Sequence, residues 1–410
     1  MPSRTRTVVA VLGMLALTLV SCADKKQPAT TTQSPSPAAD STPEVPMTAT
    51  PVIAQVVSPP VPAPATDGKT HLAYELQLTN VLTQDVTITS VDVMAGDQKL
   101  LTLTGDQVAD WLRVIGTQTP TTTLAPAQLG ILWLDVAVDD AAAVPSDLVH
   151  TIGVSVPKPI PPLMPATMTE KVAPVTVQTR KPVVIAPPLR GPNWLDADSC
   201  CGLDAHRGAL NALGGSLWAA QRYAIDYVQL QSDGTIANGD VTDVDSYPYF
   251  GADVHAVADG PVVGMLDGLP EQIPTKRPTG LRLEEYGGNH IVQDIGDGNY
   301  AFYAHLKTGS PKVKVGDTLT TGQVIGSVGN TGNSDAPHLH FHVMSTPDPL
   351  GSDGLPFLFE SFRLDNRVAS NEGVEALLQG KTAPMQAGFT ARDESDVSPL
   401  SLDVMTYEAQ

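Results

Sequence analysis

Apolar residues in this chain fall into short runs whose period is two rather than 3.6. Between positions 72 and 79, Leu72, Tyr74, Leu76 and Leu78 share one face while Glu75, Gln77 and Thr79 share the other, the pattern of a half-buried strand. Residues 86–89 repeat it, 131–134 form a continuous apolar run suited to a buried strand, and 152–156 alternate again, with turn residues between. A further strand-like run at 174–179 could close a sheet. The set predicts an immunoglobulin-like β-sandwich over residues 51–185 with one short helix at 106–114. His71 and His150 are isolated within it and read as surface or internally satisfied histidines, so this domain is expected to position or bind rather than catalyse.

Pro-rich stretches at 157–165 and 187–188 precede a second set of short strands, at 224–230, 254–258, 261–266, 290–295, 300–306 and 323–328. These define a domain over 191–362, with a helical insert expected at 211–223. Two inserts, 231–251 and 268–287, are candidate walls of a groove. Residues 363–410 are polar and acidic and are expected to form a partly ordered tail. With 36 Pro, 34 Gly and only 5% aromatic residues in 410, composition agrees with strands and turns, and the fold class is all-β.

The start of the chain changes the compartment. Arg4 and Arg6 precede an apolar run at 8–20 that is short for a membrane span, and the run ends in Leu19-Val20-Ser21-Cys22. Residues 1–21 therefore read as a signal peptide and Cys22 as a bacterial lipidation site that anchors the protein to a membrane; a plain secretory leader is the alternative. Both place the protein outside the cytoplasm, in the cell envelope, and leave open another envelope protein as a partner of the first domain. Residues 22–50, rich in Ser, Thr, Pro and Ala, form a disordered tether. A net charge of −20 with no basic stripe excludes nucleic acid as a partner. Removing Cys22 leaves the adjacent Cys200 and Cys201, for which free thiols, metal-ligating thiolates near His206, or a structural role stay open; a bond between neighbours is uncommon.

The chemistry concentrates in Pro337-His338-Leu339-His340-Phe341-His342. On an extended strand all three imidazoles project to one face. Neutral imidazole is the commonest transition-metal ligand, and a His-x-His pair can bind a metal with one ring and handle a proton with the other.

This run, with Gly288-Asn289-His290-Ile291-Val292, Tyr303-Ala304-His305-Leu306, Gly322-Gln323-Val324-Ile325-Gly326 and Gly329-Asn330-Thr331-Gly332, resembles the lysostaphin-type zinc metallopeptidases, which cleave peptide bonds in peptidoglycan. Order and spacing agree over residues 224–343. The resemblance implies an antiparallel β peptidase domain, His340 as a zinc ligand, Asp226 as the carboxylate ligand, and His305 and His338 as the non-ligand histidines that orient water and move its proton. It fails at one position. The family's first ligand is a histidine four residues before the aspartate, and here that residue is Arg222, which has no lone pair to give.

Three repairs follow: His206 folds back as the missing ligand, which is the favoured one; His342 leans toward His340; or no zinc binds and Arg222 neutralises Asp226. His255 and His290 are weaker candidates. The expected function is hydrolysis of peptidoglycan peptides through zinc-activated water held by His206, Asp226 and His340. The alternative is a catalytically degenerate domain that binds cell wall or regulates another hydrolase.

Overall fold

The alternating run at 72–79 becomes the strand Thr70–Asn80, with Leu72, Tyr74, Leu76 and Leu78 packed into an apolar core alongside Ile88, Val91, Leu132 and Ile152. In the computed structural model, which describes residues 49–139 and 141–408, this strand is central to one of two five-stranded antiparallel sheets. The residues read as a signal peptide, Cys22 and most of the expected tether lie outside the described residues. The first sheet runs Val52–Val56, Thr70–Asn80, Leu129–Val138, Leu112–Val114, with Ala63–Pro64 also beside Thr70–Asn80. The second runs Thr167–Thr176, Asp147–Ser155, Val86–Ala95, Gln98–Thr104, with Thr123–Leu124 beside Val86–Ala95. The helix expected at 106–114 is shorter: Asp106–Trp111 is helical, and Leu112 turns to extended backbone so that Leu112–Val114 pairs with Leu129–Val138.

The opposite face of Thr70–Asn80 departs from expectation. Glu75 has no exposure to water, and Trp133, its cross-strand neighbour, is 5% exposed. Around Glu75 the polar face is covered by the second domain, while Gln77 and Thr79 further along stay only half-buried, so alternation at Glu75 separates two buried surfaces rather than core from solvent. Both isolated histidines are internally satisfied. His71 lies between Asp67 and Asp135, and His150 Nε2 meets the Tyr74 hydroxyl at 2.8 Å.

The second domain is built on one eleven-stranded sheet. Its order is Thr318–Leu319, Gly260–Leu266, Asn289–Asp294, Tyr300–Leu306, Leu339–Met344, Ile225–Gln229, Gly191–Asp196, Asp403–Tyr407, Phe362–Arg367, Arg392–Glu394, with Gly354–Leu355 beside Leu339–Met344. Each of the expected strands after 191 is present, though residues 254–258 and 323–328 pair separately, as Asp253–His255 with Val324–Ser327. The insert expected to be helical at 211–223 instead forms a hairpin, Asn211–Leu213 with Ser216–Trp218, around Gly214 and Gly215 at φ +58° and +82°; two adjacent glycines in the left-handed region suit a tight turn. The expected tail at 363–410 is, over its described residues 363–408, folded. Phe362–Arg367 and Asp403–Tyr407 are internal strands of the sheet, Val404, Met405 and Tyr407 enter its core, and Asn371–Leu378 is a helix. Alternation in Asp403-Val404-Met405-Thr406-Tyr407 was too short to stand out against the acidic composition around it. Cys200 and Cys201 are joined as a disulfide, the option that neighbour geometry made least expected.

Glu170, on Thr167–Thr176, is 1% exposed and accepts the Val52 N–H at 3.3 Å. Burial pushes its carboxyl from 4.5 up to about 7, only partly opposed by that hydrogen bond. The folded state therefore keeps a proton that the unfolded state has released, a contribution present below about pH 4.5 and lost as pH rises through about 7. Thermal melts from pH 5 to pH 8 should show a fall in stability that is shallower in Glu170→Gln, because the amide keeps the neutral state; parallel curves for the two proteins would refute this.

Candidate functional site

Strand register assembles the site. Leu339–Met344 lies between Ile225–Gln229 and Tyr300–Leu306, with His340 directly opposite Asp226 on one side and Ala304 on the other. The Asp226 carboxylate faces three imidazoles: His340 Nδ1 at 2.9 Å and His338 Nε2 at 3.4 Å reach Oδ1, and His206 Nε2 is 3.3 Å from Oδ2. Ligand atoms of His206, Asp226 and His340 all lie within 4.8 Å of one another. The structure thus brings His206 within reach of both Asp226 and His340.

Each ring is oriented by its second nitrogen. His206 Nδ1 meets the Asp198 carbonyl at 3.0 Å, His305 Nδ1 the Thr331 carbonyl at 2.7 Å, and His338 Nδ1 the Ala336 carbonyl at 2.7 Å. A carbonyl only accepts, so in all three rings Nδ1 carries hydrogen and a neutral ring offers its Nε2 lone pair to the groove. His340 is turned the other way: its Nε2 is 2.9 Å from His342 Nδ1, which leaves Nδ1 toward Asp226. His342, the second candidate ligand, therefore braces His340 from behind, and its own Nε2 has no hydrogen-bond partner. His290 lines the groove with Nδ1 at 2.8 Å from the Gly288 carbonyl, whereas His255 bonds the Gly322 carbonyl outside it.

Electrostatics follow from burial and crowding. Burial works to raise the Asp226 carboxyl, but the charges of His206 and His338 hold it well below the usual range. His206 is disfavoured as a cation by burial yet raised to about 10 by Asp226, with Asp198 and Asp204 adding to it. Burial, then repulsion from His338 and His340, keeps His305 well below its ordinary value, so it is a neutral acceptor. His340 is pushed down to about 4, chiefly by burial.

His305 sits at φ +58°, a conformation non-glycine residues seldom adopt. It is held there by its N–H to the Gly287 carbonyl at 2.9 Å and by its ring to Thr331. A groove of about 870 Å³ opens over these residues, walled by Arg277, Leu283, Glu284 and Tyr286 of the 268–287 insert and by Leu213 and Leu350 opposite. The other insert, 231–251, does not line it; Tyr247 and Tyr249 carry that segment into the core. Arg222 points away from the imidazoles and pairs with Glu75 through two guanidinium nitrogens.

Residues 242–351 match the model of peptidase family M23, a span that contains His305, His338 and His340. The chain carries a peptidase family M23 domain. It is 32% identical over 166 residues to the glycyl-glycine endopeptidase ALE-1 of Staphylococcus capitis, covering 39% of this chain and 41% of that one. It is 45% identical over 75 residues to lysostaphin of Staphylococcus simulans, covering 18% and 15%. The chain thus spans less than half the length of these curated relatives. Among solved structures, the lysostaphin catalytic domain from Staphylococcus simulans aligns at 26% identity over 35% of this chain and 78% of that one, with a TM-score of 0.22. Among the described residues no helix is long and apolar enough to cross a membrane.

The Asp198, Thr331 and Ala336 carbonyls and the bracing His342 could not be assigned from sequence, because backbone acceptors leave no residue signature. Gly332 next to Thr331 is at φ +74°, and a Cβ there would lie 2.2 Å from the Gly288 nitrogen. Gly332→Ala is expected to lower unfolding free energy by about 3 kcal/mol, from backbone strain plus displacement of the Thr331 loop; a urea midpoint equal to wild type would refute that packing.

Proposed function

We propose that this protein hydrolyses peptide bonds in peptidoglycan with zinc held by His206 Nε2, the Asp226 carboxylate and His340 Nδ1. The observation that carries the reading is convergence of His206, from a segment twenty residues before Asp226, on the two sheet ligands. The donor set fits zinc: two imidazoles presented by oriented rings and one carboxylate, each with a further partner behind it. When bound, zinc would supply Lewis acidity toward a peptide carbonyl and toward water.

The remaining work falls to the chain. His305, neutral and fixed through Nδ1, takes a proton at Nε2 from the attacking water and passes it toward the leaving amine. His338 is raised by Asp226 despite burial and can donate from Nε2 to the oxygen that gains charge. The groove between Leu213 and Tyr286 accepts an extended peptide, and its buried floor excludes bulk water. Against the degenerate alternative stands Arg222, whose guanidinium is engaged by Glu75, Ser58 and the Gly354 carbonyl rather than by Asp226.

Elemental analysis of the purified full chain should find stoichiometric zinc, strongly reduced in His206→Ala, Asp226→Ala and His340→Ala. His305→Ala should keep zinc but lose about 10²–10⁴ in cleavage of purified peptidoglycan. Full zinc in His206→Ala would remove that residue from the site, and wild-type wall binding without cleavage, unaffected by chelator, would favour the degenerate reading. Cys22 serves in this reading as the lipidated anchor that holds the enzyme in the envelope. Cys22→Ser should release it from the membrane fraction into the soluble one, and unchanged fractionation would rule out that anchor.

A further inference from the structure

His206 is the one member of the metal group that does not lie on the large sheet. It occupies Ala205–Gly208, a four-residue helix, far too short to be stable alone. Within the segment, Asp204 Oδ1 accepts the Arg207 N–H at 2.9 Å. The Asp198 carbonyl, which orients the His206 ring, also accepts the Asp226 N–H at 3.3 Å and so ties the segment to the sheet.

A second anchor comes from the sandwich and acts on the next residue. The Trp133 indole N–H donates to the Arg207 carbonyl at 2.7 Å. The Arg207 side chain, with no exposure to water, donates to the Leu134 carbonyl at 3.1 Å and lies 3.4 Å from Glu75 Oε1. Glu75 and Trp133 face each other across Thr70–Asn80 and Leu129–Val138, so adjacent sandwich strands grip both the backbone and the side chain of Arg207.

Glu75 also reaches the other arm of the site. It accepts hydrogen bonds from two guanidinium nitrogens, Nε and Nη2, of Arg222, four residues before Asp226. One buried carboxylate is therefore tied to the residue after His206 and to the loop that leads into Asp226. A carboxylate with no solvent contact is tolerated only with such partners, and removal of a partner leaves an uncompensated buried charge.

We propose that the sandwich is a working part of the metal centre, with Glu75 and Trp133 as positioning residues that hold His206, through Arg207, at bonding distance from the cation. The inference rests on the reading of His206 as a zinc ligand. It assigns to the first domain a role toward the metal in addition to any binding of wall or partner.

The test measures zinc affinity of the full chain by competition with a chromogenic chelator, together with the visible spectrum of the cobalt-substituted protein. Trp133→Phe, which keeps an aromatic side chain but replaces the indole and its N–H, and Glu75→Gln are each expected to weaken zinc binding 10–100-fold and to shift the cobalt bands while circular dichroism shows a folded chain. Val91→Ala, in the core of the sheet that does not carry Glu75, controls for general destabilisation: it lowers the melting temperature and leaves affinity and bands unchanged. Wild-type affinity in both Trp133→Phe and Glu75→Gln, with His206→Ala weakened, overturns the coupling alone. Wild-type affinity in His206→Ala overturns the ligand reading and the coupling with it. Equal weakening in Val91→Ala reduces the effect to stability and also overturns the proposal.

Discussion

The site depends first on cross-strand register. His340 can meet Asp226 only because Leu339–Met344 pairs with Ile225–Gln229 in the one alignment that sets them opposite. A slip of one residue would send residues 338, 340 and 342 to the other side of the sheet together. Apolar residues enforce the alignment: Leu339, Phe341 and Val343, buried on the reverse face, interleave with Ile225, Tyr227 and Tyr303. The histidine face is fixed by what lies behind it, and the rings are then trimmed individually by carbonyls and by His342.

A second constraint is the accommodation of charge away from water. Glu75 is held below its ordinary range by Arg222 and Arg207 in spite of burial. Arg222, standing where the resemblance implies a histidine, supplies its guanidinium to the interface with Glu75. In the preceding segment His206 faces Asp226 while the next residue, Arg207, reaches the sandwich.

Much of this was legible in sequence. Period-two alternation located the central strand of the sandwich and put His338, His340 and His342 on one face, while Asp226 came from the family resemblance. The chemistry of arginine, which has no lone pair, led to His206 by the need for another nitrogen. What escaped had physical causes. Alternation marks two faces but not what covers the second, so Glu75 read as solvent-facing. Gly214-Gly215 outweighed a weak helical pattern at 211–223. The strand Asp403–Tyr407 is short and set in acidic sequence, and its place beside Gly191–Asp196 depends on a pairing across some two hundred residues that no local signal reports.

That late strand changes how the molecule would respond to being cut. Asp403 accepts from the Thr66 hydroxyl, the Arg392 guanidinium reaches the Thr66 carbonyl, and Ala65 bridges Ser398, so positions more than three hundred apart in sequence are fastened together. Residues 65 and 66 are thus held to the segment 392–403. A protease that opens the exposed 268–287 loop would leave two fragments whose strands alternate within one sheet: Asn289–Asp294 lies beside Gly260–Leu266, and Leu339–Met344 beside Ile225–Gln229. Separation would require tearing the sheet from several sides at once. Backbone integrity and structural integrity are therefore distinct properties of this protein, and scission at that loop need not disperse the imidazoles.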